Sequence, residues 1–161
     1  MWTDARQATA WAFVWLLLVT AGFVLLRPPA GGRRWPSWPI ILLLAALVRL
    51  LPALWLPVGA GYDIASFHMV TDALLGGREV YAAALGRHPY LPFQMFIMGG
   101  MAALSAATGL PFVVAIKLPA LLADVAIAGL IYRLVASRRG RDWAAYAALL
   151  YALNPVSLLV S

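Results

Sequence analysis

Between Pro57 and Pro92 the chain reads PVGAGYDIASFHMVTDALLGGREVYAAALGRHPYLP, and nearly everything on either side of this stretch is apolar. Three of the six acidic residues, Asp63, Asp72 and Glu79, and both histidines, His68 and His88, fall inside it. A carboxylate at a membrane–water boundary can take the proton of an incoming hydroxyl or bind a divalent cation. Asp63 directly follows an apolar segment and suits either role. It equally suits the N-cap of a helix starting at Ile64. Asp72 lies two and a half turns on and reads as a solvated face residue, as do Arg78 and Glu79. The two histidines show neither HxxxH nor HxxE spacing, so they give little support to a metal site. His88 is better placed than His68, in the turn RHPYLP with Arg87 and Tyr90, which must pack near the membrane surface close to Asp63.

Three more charged residues stand inside apolar segments: Arg49, Lys117 and Asp124. An isolated Arg at a bilayer centre costs ~2.5–3.5 kcal/mol on insertion scales, so such groups are functional candidates by default. Lys117 and Asp124 are seven residues apart, two helical turns, and share a face. The structural alternative is a charge pair joining Asp124 to Arg49 or Lys117. Lys117 lies near a helix start and could instead reach a lipid phosphate. The chain has no P-loop, GxGxxG, GxSxG or CxxC motif, which removes those routes to nucleotide and nucleophile chemistry. With no cysteine at all, disulfides, thiolate catalysis and cysteine metal sites are excluded.

The elements that must hold these residues are apolar. Of 161 residues, 64% are hydrophobic and the mean hydropathy is +0.87, against ~45–50% apolar in soluble domains. This composition predicts an all-α, integral membrane protein. Five apolar segments are expected: residues 7–26, 40–56, 93–108, 112–135 and 143–161. The first is uncharged, and without a small-x-small cleavage site it reads as an uncleaved span. Pro52 is expected to bend the second. Gly99, Ala103 and Ala107 recur every four residues on the third as a close-packing face. Between the second and third, Ile64, Phe67, Thr71, Leu74 and Leu75 give a short helix one apolar face, predicted to lie along the membrane surface and to end at Gly76-Gly77. Residues 1–161 thus read as one transmembrane domain with 57–92 as an external loop. Ser161 follows Leu158-Leu159-Val160 without a polar flank, which reads as the N-terminal part of a longer protein.

The net charge of +6 comes largely from arginine clusters beside apolar segments: Arg27, Arg33 and Arg34, then Arg133, Arg138, Arg139 and Arg141. That placement points to the positive-inside rule and anionic headgroups, with no nucleic-acid partner. If both clusters are cytoplasmic, an even number of crossings must separate them. The segments 40–56, 93–108 and 112–135 make three, and the Gly-rich 93–108 is the best candidate for a short or re-entrant element.

In order, LVRLLPALWLPVGAGYD, SFHMVTDALLGGREVY, RHPYLPFQMF, IKLPALLADVAIAGLIYRL and ALLYALNPVSLLVS resemble the polytopic GT-C glycosyltransferases, over about residues 40–161. Within that superfamily the likeness is to bacterial mannosyltransferase-type members, which use polyprenyl-phosphate sugars. The resemblance implies a multi-pass plasma-membrane enzyme inverting at the anomeric carbon, with Asp63 as the catalytic carboxylate. The Pro/Tyr turn of such enzymes falls on His88, Pro89, Tyr90 and Pro92. It departs from their usual Tyr-Pro-Pro. Arg87 or Lys117 could offset the leaving phosphate, and the acceptor would be a glycan or lipid hydroxyl. No cofactor is implied beyond a divalent cation at Asp63. A transporter subunit and a non-catalytic assembly protein are the competing classes. The first would rest on Arg49, Lys117 and Asp124, the second on the Gly99/Ala103/Ala107 face.

Overall fold

The computed structural model describes residues 4–27, 29, 35–55, 61–87 and 91–154. Every regular element among them is an α-helix. In chain order these are α1 (Asp4–Leu25), α2 (Trp38–Trp55), α3 (Gly61–Leu75), α4 (Val80–Ala83), α5 (Pro92–Thr108), α6 (Phe112–Ala115), α7 (Leu118–Arg139) and α8 (Arg141–Ala152). The chain divides into two compact units, Met1–Leu56 with Ala120–Ser161, and Pro57–Pro119. The expected loop 57–92 therefore belongs to a larger unit that extends through α5 and α6.

The first unit is an antiparallel four-helix bundle of α1, α2, α7 and α8. Along α2, residue numbers rise as their α7 partners fall. Ile41 shares a cluster with Ile131 and Tyr132, Ala45 one with Ala128, and Arg49 meets Asp124. Where α2 passes α7, a Cβ on Gly129 would lie 3.3 Å from Leu42 Cδ2, so the glycine sets how close the two helices come. The α8 numbers rise with α2: Ala145, Ala148 and Leu149 join Ile41, and Ala152 joins Ala45. Helix α1 runs the other way, with Leu17 beside Val48 and Leu153. Helices α7 and α8 are joined by Gly140 alone, whose φ of +84° is open to glycine and strained for other residues.

The second unit is built where α3 packs on α5. Val70, Ala73, Val80, Ala84, Met95 and Met98 form its core, with Phe67, Leu74 and Ile116 against it. The buried face of α3 is Ser66, Val70, Thr71 and Ala73, while Leu75 is exposed. Of the predicted stripe, Thr71 is buried and Phe67 and Leu74 pack against this core, while Leu75 is exposed; the face meets another helix, α5. Its small-residue partner is Gly99, where a Cβ would come within 2.7 Å of Leu74 Cδ2. Ala103 and Ala107 are exposed and take no part. Gly76-Gly77 ends α3 as predicted. Gly77 adopts φ +65°, Arg78 N–H bonds Ala73 O at 2.8 Å and Gly77 N–H bonds Leu74 O at 3.2 Å, a paired C-terminal closure.

The expected five spans are not matched. Among the described residues one helical run, Phe112–Arg139 through α6 and α7, is long and apolar enough to cross a membrane. Thr9–Leu25 and Trp38–Leu54 are apolar but shorter. Gly109-Leu110-Pro111 closes α5 after 17 residues, and the described part of α8 has 12. Helix α2 continues through Pro52 to Trp55.

The two neighbouring glycines of α5 make a matched test of the α3–α5 contact. Gly100→Ala, which meets nothing within 4 Å, is expected to stabilise by up to ~1 kcal/mol through helix propensity. Gly99→Ala should forfeit that gain against Leu74, and Gly99→Val should cost ~1–3 kcal/mol by overpacking. Thermal melts of the three purified variants against the parent protein check the order.

Candidate functional site

Asp63 lies in the first turn of α3 and is exposed. The helix begins at Gly61 rather than Ile64, so Asp63 sits inside the first turn and is not the N-cap. The free N–H groups at a helix start still favour a negative charge there. Beside it, Tyr62 is exposed, and the Arg87 guanidinium stacks over its ring at 4.4 Å from the centroid. Arg87 Nη1 also reaches Met69 Sδ at 3.7 Å. The turn Ala84–Arg87 places this arginine, with Arg87 N–H on Ala84 O at 2.9 Å. Asp63 is therefore the next residue along α3 from the tyrosine that Arg87 covers. Tyr62, which fixes the arginine, carried no signal in the sequence beyond being an aromatic next to Asp63.

The other polar residues divide clearly. His68 packs its ring on Phe112, centroids 4.3 Å apart, in a contact that sequence spacing could not reveal. Glu79 N-caps α4, accepting the N–H groups of Tyr81 at 3.0 Å and of Ala82. Asp72 is exposed. Lys117 occupies the turn between α6 and α7 and is half-buried. His88, Pro89 and Tyr90 lie outside the described residues. No three His, Asp or Glu side chains converge among the described residues. A divalent cation at Asp63 would draw its other ligands from water or substrate.

A second polar cluster lies inside the four-helix unit. Arg49 is 2% exposed. Its Nε donates to Asp124 Oδ2 at 2.8 Å and its Nη1 to Ala45 O at 3.3 Å and Ala152 O at 3.0 Å. Tyr151 Oη donates to the other carboxylate oxygen, Asp124 Oδ1, at 2.8 Å. The guanidinium carbon lies 5.6 Å from the centroid of the Tyr151 ring. Of the two pairings open in the sequence, Arg49 with Asp124 is the one formed. Tyr151 was not anticipated as its third member. Its signal was a phenol in an apolar helix, whose hydroxyl needs a partner when buried. Bonding Ala152 O also gives α8 a charged cap at its carbonyl end.

Comparison with protein-family models, with curated proteins and with solved structures returns no match.

Removing one member of a buried charge pair strands the other, at a cost of ~3–5 kcal/mol, whereas replacing both by apolar residues is often neutral. Arg49→Met and Asp124→Leu are each expected to lose about that much stability, and the double variant to recover most of it. A double-mutant cycle on thermal unfolding in detergent measures the coupling.

Proposed function

We propose that this chain is a membrane-embedded glycosyltransferase, or a portion of one. It would transfer a hexose, such as mannose, from a polyprenyl-phosphate carrier to an acceptor hydroxyl at the membrane surface. The carrying observation is at the start of α3, where the exposed carboxylate of Asp63 directly follows Tyr62, the residue whose ring Arg87 covers. The order of motifs that resembles the GT-C enzymes supports the same assignment.

The chemistry asks little beyond these groups. Asp63 takes the proton of the acceptor hydroxyl, whose oxygen attacks the anomeric carbon. The bond from that carbon to the phosphate oxygen breaks, the configuration inverts, and polyprenyl phosphate leaves with the bonding electrons. Arg87 offsets the charge that develops on the phosphate. Lys117, His88 and Tyr90 are assigned to substrate contact. The donor keeps its tail in the bilayer and its sugar at the interface, so no nucleotide site is needed.

The proposed location is a bacterial plasma membrane, with several passes. Its support is compositional and physical. Large apolar side chains stand exposed on α1 (Trp11, Trp15, Leu16, Val19), α2 (Leu43, Leu51) and α7 (Leu122, Leu130). Water tolerates contiguous patches of only a few hundred Å² of this kind, whereas lipid covers them without cost. The transporter reading loses two of its three charges, because Arg49 and Asp124 satisfy each other and cap α8.

In membranes containing the native protein, Asp63→Asn is expected to abolish sugar transfer from a polyprenyl-phosphate donor while leaving the protein at its normal level. Arg87→Gln should lower kcat/KM for the donor. Wild-type transfer by Asp63→Asn, scored with a radiolabelled sugar, would overturn the assignment.

A further inference from the structure

Within the second unit, Arg87 is held by partners that leave its charge intact. Its backbone N–H bonds Ala84 O, and Ala84 and Val80 are buried in the core of that unit. Its guanidinium lies 4.4 Å over the centroid of the Tyr62 ring, with Nη1 3.7 Å from Met69 Sδ. Tyr62 and Met69 stand seven positions apart on α3, two turns, so they share one face, and both are exposed. The residues one turn after Tyr62 are small, Ala65 and Ser66, and the Ser66 hydroxyl turns back to donate to Tyr62 O at 2.8 Å. Among the described residues no carboxylate forms an ion pair with Arg87.

We propose that Tyr62 and Met69 are positioning residues, a neutral cradle that orients the Arg87 guanidinium for a lipid-borne phosphate monoester without neutralising it. This rests on the glycosyltransferase reading above, in which Arg87 meets the donor phosphate, and adds how the arginine is held. An aromatic face attracts a guanidinium through the ring quadrupole and covers its plane, leaving the N–H edge for an oxyanion. A thioether is a weak acceptor that engages one N–H without carrying charge. A carboxylate in either place would fix the arginine more firmly. It would also cancel the positive charge and compete with phosphate for the same fork of donors.

Arg49 shows the opposite arrangement. It is buried, paired with a carboxylate and bonded to two backbone carbonyls. Such a set ties helices together and compensates the charge in place. Arg87 is only partly buried, and its partners are a ring face and a sulfur atom. An arginine side chain loses rotamer freedom when it binds an anion, and stacking on Tyr62 takes that loss before the donor arrives. Arg87 is thereby ordered in advance, with its charge still available.

Protection of Arg87 from phenylglyoxal tests this on the full chain in detergent, read by peptide mass spectrometry with farnesyl phosphate and inorganic phosphate as the two probes. Farnesyl phosphate is expected to protect Arg87 at the lower concentration, and equal protection by both overturns the lipid-borne source. Met69→Gln keeps a neutral acceptor of similar shape, and Met69→Glu differs from it by one charge. Met69→Glu is expected to need roughly tenfold more farnesyl phosphate for half-protection than Met69→Gln. Tyr62→Leu, which loses the ring, should need roughly two- to fivefold more than Tyr62→Phe, which keeps it. Should Tyr62→Leu accumulate poorly, the Met69 pair, at an exposed position, decides. Met69→Glu matching Met69→Gln, or Tyr62→Leu matching Tyr62→Phe, overturns the cradle even where sugar transfer through Asp63 is intact. No protection in the parent protein overturns the contact of Arg87 with phosphate. The expected shifts in protection without any sugar transfer uphold the cradle and overturn the glycosyltransferase reading alone.

Discussion

A single guanidinium ties the four-helix unit together. Arg49 makes one bond along its own helix, one across to Asp124 on α7, and one to the last turn of α8. Three helices are thereby fixed in register at one level, and the apolar clusters below that level follow from it. Once Arg49 meets Asp124, Ala45 must meet Ala128, Leu42 must meet Gly129, and Ile41 must come beside Ile131. The step from Arg49–Asp124 to Ala45–Ala128 is four residues on each helix, about one turn. The charge pair contributes register as much as stability, since in an interior of Leu, Ala and Val many sliding alignments would bury similar area.

The second unit is specified differently. Its core is a helix–helix contact made by Val70 and Ala73 on α3 and Met95 and Met98 on α5, closed by α4. Polar groups there serve the ends of helices: Glu79 starts α4, and Gly76 and Gly77 stop α3. At the start of α3, Tyr62 and Asp63 are exposed next to each other and Arg87 lies over the tyrosine ring.

Helix content, the stop at Gly76-Gly77 and the Arg49–Asp124 option were all legible in the sequence, because each rests on local chemistry or on the cost of an unpaired charge. Other features were not. Asp63 was read as an N-cap, but nothing in Gly61-Tyr62 prevents the helix from including them ahead of Ile64. The apolar stripe of α3 was assigned to a membrane surface because its partner lies on a separate helix, α5, and periodicity does not say what a face meets. Ala103 and Ala107 share a spacing with Gly99, yet only the glycine finds a neighbour close enough to need it. Tyr62 and Tyr151 are defined by what they touch, which a one-dimensional pattern of aromatic residues does not record. Five apolar segments were counted as spans because composition reports apolar content and not helix length; among the described residues one helical run, Phe112–Arg139, is long and apolar enough to cross a membrane.

The span of sequence between Arg49 and its carboxylate has a consequence for synthesis. The two are 75 residues apart, which at ~5–20 residues per second means roughly 4–15 s between them on the ribosome. Over that interval α2 carries a buried-type cation with no counter-ion, and the carbonyl end of α8 that it will cap does not yet exist. The bundle can lock only when its last helix arrives. Residues 57–119 are all made within that interval, before α7 and α8 can close around α2.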